Sequence, residues 1–168
     1  MKKIGIFYGS STGTCEDLAN RIADKLGVSA QDVHSADKLT EAMVKEYDVL
    51  LLGSSTWGDG DMQDDWYDGV KVLKAADLSG KLVALFGCGD SESYCDTFCD
   101  AIGVLYEDLQ GTGCTFIGNR VSTDGYAYSS SIAVVDGCFV GLALDEVNES
   151  DKTDERIDAW VTELQKSL

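Results

Sequence analysis

The sequence predicts an α/β fold, an open, doubly wound, five-stranded parallel sheet flanked by helices, with its last strand split by an insertion. Three observations carry this. Short apolar runs alternate with amphipathic helical stretches along the whole chain. The runs are continuous rather than alternating in polarity, as strands buried on both faces of a parallel sheet are. One polar stretch interrupts the alternation, just before the final run. The 168 residues fit one domain, spanning 1–168 without linker or repeat, and long enough to bury a core.

The first strand is expected at Lys3–Tyr8, followed by a helix whose buried stripe is Leu18, Ala19, Ile22, Ala23 and Leu26. A weaker strand lies near Ala30–His34, and Leu39, Ala42 and Met43 share the face of a second helix. The run Val49–Ser54 is followed by a helical stripe at Trp66, Val70 and Leu73. Leu82–Phe86 is followed by another at Phe98, Ala101, Ile102, Leu105 and Leu109. Cys114–Gly118 and Phe139–Leu144 form the two parts of the last strand. The polar segment between them is too long for a tight turn. Its Tyr126, Tyr128, Ile132, Val134 and Val135 argue for a folded insertion with its own short hairpin. The last helix repeats Ile157, Trp160, Val161, Leu164 and Leu168, with Thr153 as N-cap and Asp154 and Glu155 where the helix dipole favours acids.

Thirteen Lys and Arg stand against 30 Asp and Glu, a net charge of −17. Such a surface repels nucleic acid and anionic lipid. The cluster Asp59, Asp61, Asp64, Asp65 and Asp68 suggests docking to a basic-faced protein partner. No apolar run approaches the length of a membrane span, and Met1-Lys-Lys leads into a strand rather than a signal-peptide core. The expected location is the cytoplasm. Six cysteines form no Cys-x-x-Cys pair and read as small thiols in a reducing compartment, with no metal site. His34 reads as a surface or strand-end residue.

Three loops at strand carboxyl ends carry the chemistry, where open parallel sheets bind ligands. The first, Gly9-Ser-Ser-Thr-Gly-Thr-Cys15, has four hydroxyls and no Lys or Arg. It joins a strand to a helix start, a setting that holds anions on backbone N–H groups. It lacks the Gly-Lys-Ser/Thr of a nucleotide-hydrolase loop and the Gly-x-Gly-x-x-Gly of a dinucleotide fold. A phosphate held there without a counter-charge suggests a cofactor anchor rather than phosphoryl transfer, although a simple capping turn has the same composition. The second, Ser54-Ser-Thr-Trp-Gly-Asp-Gly-Asp61, presents an aromatic ring among small residues, suited to stacking on a planar ligand. Gly58 and Gly60 permit positive φ there. The third, Gly87-Cys-Gly-Asp-Ser-Glu-Ser-Tyr-Cys95, adds a second aromatic face at Tyr94 and a polar edge at Asp90.

Together these loops resemble those of flavodoxins, and the resemblance extends over nearly the whole chain. Ser10, Ser11, Thr12, Gly13, Thr14 and Cys15 resemble the family's phosphate loop. Ser55, Thr56, Trp57, Gly58, Asp59 and Gly60 resemble its first isoalloxazine loop, and Cys88, Gly89, Asp90, Tyr94 and Cys95 its second. Phe98-Cys-Asp-Ala-Ile102, Phe139-Val-Gly-Leu-Ala-Leu-Asp145 and the interruption before Phe139 are similar to the long-chain group. The resemblance implies a monomer that binds FMN. It also implies a low-potential carrier moving one electron at a time between redox proteins through the semiquinone/hydroquinone couple. Cys15 departs from the pattern, standing where the family carries Thr. A thiol donates more weakly than a hydroxyl, so altered phosphate contacts with retained FMN are expected. Gly58 stands where many long-chain members have a bulkier residue.

Two other readings fit less well. A response-regulator receiver needs an acidic pair after the first strand and a phosphorylatable Asp after the third. Both positions read Gly-Ser-Ser here. An FMN-dependent quinone reductase needs an open flavin face, which Tyr94 would cover.

Overall fold

The computed structural model describes residues 2–168. Its strands and helices follow in the order β1 (Ile4–Gly9), α1 (Thr14–Leu26), β2 (Val33–Ser35), α2 (Glu41–Glu46), β3 (Val49–Trp57), β4 (Asp61–Met62), α3 (Asp65–Ala75) and β5 (Leu82–Cys88). After these come α4 (Asp100–Asp108), β6 (Thr115–Phe116), β7 (Val121–Ser122), β8 (Val134–Val135), β9 (Cys138–Phe139), β10 (Leu142–Leu144) and α5 (Thr153–Gln165). The main sheet runs β10-β5-β3-β1-β2, all parallel. β6 and β10 both pair with β5, at Leu82↔Thr115 and Leu142↔Phe86. They therefore share one edge position, and the insertion leaves and re-enters the sheet between them.

The continuous apolar runs are explained by two cores. Phe7, Leu50, Leu52, Val83 and Leu85 point to the face covered by α2, α3 and α4. Ile6, Val49, Leu51, Ala84 and Phe86 point to the face covered by α1 and α5. Each central strand contributes alternate residues to each face, so nearly every position is apolar. Chain order reverses between β1 and β3, the place where such sheets receive ligands beyond their carboxyl ends.

The structure corrects several of these expectations. The second part of the last strand begins only at Leu142, because Phe139 pairs with Val121 and Val134 in the insertion's own sheet. The weak strand near Ala30–His34 begins later, because Ala30–Asp32 forms a 3₁₀ turn capped by Ser29 Oγ. His34 is half-buried in the short strand β2, stacked on Phe7 at 5.2 Å and hydrogen-bonded to Tyr47 Oη at 3.0 Å, which favours the strand reading over the surface one. Ala42 is exposed and Val44 buried, because α2 starts only at Glu41 and turns a different face inward. Thr153 is the first residue of α5 rather than its cap, and its buried hydroxyl bonds to the Glu146 carboxylate.

The insertion is folded. β7 and β8 flank β9 in an antiparallel three-stranded sheet. The β8–β9 hairpin turns at Asp136 and Gly137, both at positive φ, the geometry that Asp-Gly favours in two-residue hairpins.

Candidate cofactor site

The first loop is shaped by its own hydroxyls. Ser10 Oγ accepts the Gly13 N–H at 3.0 Å, and Ser11 Oγ accepts from Gln63 Nε2 at 3.2 Å. Gly13, at φ +92° with open space around its Cβ position, leads the chain into α1. A side chain there would be strained in this left-handed conformation. The N–H groups of Thr14, Cys15 and Glu16 have no acceptor among the described residues. The start of α1 thus offers several donors and the positive end of a helix dipole to an anion.

The second loop grows out of the end of β3. Trp57 Nε1 donates to Ser55 Oγ at 2.8 Å, fixing the indole while leaving the residue 42% exposed. Thr56 Oγ1 accepts the Ala101 N–H at 3.2 Å, tying the loop to α4. Gly58 and Gly60 both adopt positive φ, and the Gly60 N–H closes the turn onto the Trp57 carbonyl at 3.1 Å. A Cβ on Gly60 would lie 2.6 Å from Asp100 Oδ2, so this turn packs directly on a buried carboxylate. Asp59 is exposed.

The third loop is held by carboxylates. Asp90 Oδ1 accepts the N–H groups of Glu92 and Ser93 and the Asn148 amide. Those bonds, the Ser93 N–H foremost, keep its pKa below the usual carboxylate value. Asp145 is fully buried and accepts from Ser91, Val147 and Asn148. Burial alone would raise its pKa, but these hydrogen bonds, led by the Ser91 hydroxyl, leave it lowered. The Tyr94 N–H donates to the Asp90 carbonyl at 2.9 Å, and the residue is 56% exposed.

A groove of about 330 Å³ joins the three loops. Thr12 and Thr14 line one part, Ser55 through Gly58 another, and Cys88, Gly89, Asp90 and Tyr94 the third. Two aromatic rings left this exposed at one groove are unusual, since large apolar surfaces are ordinarily buried. Ser10, Ser11, Gly13, Cys15, Asp59 and Gly60 are not among the residues that line this groove. Cys95 lies outside it, where its carbonyl accepts the N–H groups of Ser129 and Ser130 in the insertion, each at 2.9 Å.

Cys15 corrects the sequence-based expectation. Its side chain is fully buried in the core beneath α1, so its thiol does not face the loop's anion cradle. Hydrogen bonding to Cys88 and burial raise its pKa well above the ordinary thiol value. Only its backbone N–H remains available to an anion. Thr97, Glu146 and Val147 also line the groove and were missed from sequence. Glu146 is partly neutralised by Arg21 Nη1 at 3.5 Å. Asp145 and Asn148 were missed too. The signal was their position just after the last strand, at the same sheet end as the other loops.

The chain matches the family model described as Flavodoxin over residues 6–160. It belongs to the flavodoxin family. Flavodoxin 1 of Azotobacter vinelandii is 45% identical to this flavodoxin over 173 aligned positions, covering 100% of this chain and 98% of that protein. A Nostoc flavodoxin is 44% identical, covering 99% of this chain and 98% of its own. Among solved structures, that of Fusobacterium nucleatum flavodoxin bound to flavin mononucleotide is similar with a TM-score of 0.89 at 32% identity, covering 100% of this chain and 99% of that one. Flavodoxins are themselves a standard illustration of ligand binding at the β1/β3 reversal.

Proposed function

We propose that this flavodoxin holds FMN in the groove between its three loops and carries single electrons between redox partner proteins. It is an electron-transfer flavoprotein, not a substrate-converting enzyme. Bound FMN supplies the one-electron redox chemistry, and the protein supplies binding, orientation and electrostatics.

The observation that carries the site assignment is an uncharged anion cradle and two exposed aromatic rings opening on one groove. The N–H groups of Thr14, Cys15 and Glu16, with the hydroxyls of Ser11, Thr12 and Thr14, would hold the phosphate. Trp57 and Tyr94 would flank the ring system, excluding water from it. Ser10, Gly13, Ser55, Thr56, Gly58, Asp59, Gly60, Cys88, Gly89 and Asp90 shape or border that space. Cys95 contributes only by fastening the insertion behind the third loop.

Electrons leave and enter through a partner. The exposed carboxylates Asp59, Asp61, Asp64 and Asp68 lie around Trp57 and along the start of α3. They favour a basic-faced partner, whose approach they would steer. A monomer consisting of one domain and working in the cytoplasm completes the proposal. Among the described residues no helix is long and apolar enough to cross a membrane.

Stepwise reduction of the purified protein, followed by visible absorbance, tests the reading. The expected result is a yellow protein that takes up electrons in two resolved one-electron steps. A colourless protein that gains no FMN on reconstitution overturns it. Steady turnover of NAD(P)H with a quinone by the protein alone would instead favour the reductase reading.

A further inference from the structure

The first loop contains no Lys or Arg, so an anion there depends on the surrounding polar groups acting as donors. Ionised phosphate oxygens only accept hydrogen bonds. The free N–H groups at the start of α1 can only donate. A serine hydroxyl can donate or accept, and which it does depends on the group behind it.

Behind Ser11 lies Gln63. It follows β4 and is only 5% exposed, a buried amide between the end of β3, the start of α3 and the first loop. Three hydrogen bonds fix it. Its backbone N–H donates to Ser54 Oγ at 3.0 Å, and its Oε1 accepts the Asp65 N–H at 2.9 Å. A backbone N–H can only donate, so the amide oxygen must face Asp65 and the amide nitrogen must face away. There Nε2 donates to Ser11 Oγ at 3.2 Å. The amide is also packed tightly on the loop side. A Cβ on Gly9, just before the loop's serines, would lie 2.7 Å from Gln63 Oε1.

These bonds give the Ser11 hydroxyl a direction. Ser11 Oγ accepts from Gln63, and its own proton has no acceptor among the described residues. Ser10 is arranged alike, its Oγ accepting the Gly13 N–H at 3.0 Å. Both hydroxyls keep their protons for a partner outside the protein. We propose that Gln63 is a positioning residue for the cofactor's phosphate, holding Ser11 as a hydrogen-bond donor toward it. The proposal rests on the reading of the first loop as the phosphate cradle. Gln63 then matters to the phosphate alone, not to the ring system between Trp57 and Tyr94.

Riboflavin is FMN without its phosphate, so the ratio of the two affinities isolates that group. Fluorescence titration of the apoprotein with each ligand measures it. Gln63→Glu keeps the shape and the acceptor for Asp65 but turns the atom facing Ser11 into an acceptor. It should weaken FMN binding by about tenfold or more while leaving riboflavin binding within about twofold of wild type. Gln63→Met removes the donor without adding charge and should weaken FMN binding by about threefold to tenfold, again sparing riboflavin. That variant keeps the test valid if the buried glutamate prevents folding. In a Ser11→Ala background, Gln63→Met should lower the preference for FMN no further, because the two residues act as one unit. Equal losses for FMN and riboflavin overturn the proposal, leaving Gln63 a structural role. A full further loss in the Ser11→Ala background overturns the route through Ser11. A wild-type protein that binds both ligands equally well fails differently, because the phosphate is then not held in the first loop and the cradle reading falls with the proposal.

Discussion

Asp100 Oδ1 accepts the Ile132 N–H at 2.9 Å, so a buried carboxylate at the start of α4 fastens the insertion to the body of the protein. Its other oxygen packs against Gly60, in the turn beside Trp57. Insertion, helix and aromatic loop therefore meet at one residue.

Burial pushes the Asp100 carboxyl up from its usual value, opposed by the Ile132 and Ser131 hydrogen bonds. With a raised folded pKa, the native state binds the proton more tightly than the unfolded chain. The stability associated with that proton is present below about pH 3.9 and is lost as pH rises through the folded pKa. Asp100→Asn keeps an acceptor for Ile132 and removes the charge. Thermal melts should show its stability relative to wild type improving between about pH 4 and pH 7. Asp100→Ala leaves the Ile132 N–H without its acceptor and should cost about 1–3 kcal/mol throughout. A flat difference between Asn and wild type across that range would remove the buried-charge argument.

Asn148 links two carboxylates of the third loop, donating to Asp90 at 2.8 Å and to Asp145 Oδ2 at 3.1 Å. Both carboxyls are lowered, so their stabilisation is present above the unfolded pKa and is lost as pH falls through the folded one. Acid should therefore loosen Tyr94 and release FMN. Asn148→Ala withdraws a hydrogen bond from each carboxylate. Its acid-release midpoint, read by flavin fluorescence, should lie at higher pH than that of wild type. Stability at neutral pH should fall by about 1.5–3 kcal/mol. An unchanged midpoint would separate this network from cofactor binding.

Much of the site was legible because chemistry and topology agree at the strand ends. Continuous apolar runs locate β1, β3 and β5, so the loops after them are fixed in space once the sheet is parallel. Trp57 stood out because its neighbours are too small to surround an indole. What stayed hidden depends on contacts distant in sequence. Asp145 looks like an ordinary loop acid until Ser91 is seen beside it. Cys15 reads as a loop residue until helical phase turns its side chain beneath α1. The Asp136-Gly137 turn was a local signal and could have been read.

Trp57 is held at its edge by Ser55 Oγ and has an exposed face, so its removal should affect the cofactor more than the fold. Trp57→Ala should weaken FMN binding by about 1–3 kcal/mol, the scale of an aromatic–heterocycle stack. Trp57→Phe should recover most of it. Fluorescence titration of the apoprotein measures both. Equal affinities of all three proteins would mean that this ring does not contact the cofactor.

The acidic rim makes a kinetic prediction. Replacing Asp59, Asp61, Asp64 and Asp68 together by Asn removes exposed charge without touching either core. Reduction by a basic-faced partner should slow by about tenfold or more at low ionic strength, and should become nearly insensitive to salt. Melting temperature should hardly change. A rate and salt slope equal to wild type would exclude this rim as the docking face.

Cys15 separates backbone from side-chain recognition of the phosphate. Its thiol lies in the core against Cys88, whereas its N–H belongs to the unpaired first turn of α1. Cys15→Ala deletes only the buried sulfur. It should cost about 1 kcal/mol of stability from lost packing while leaving FMN affinity within about threefold of wild type. A loss of affinity beyond about tenfold, with the melt little changed, would mean that the thiol turns toward the phosphate when FMN binds. The first outcome would make the side chain at this position dispensable, as expected if the phosphate is held by amides that no substitution other than proline removes.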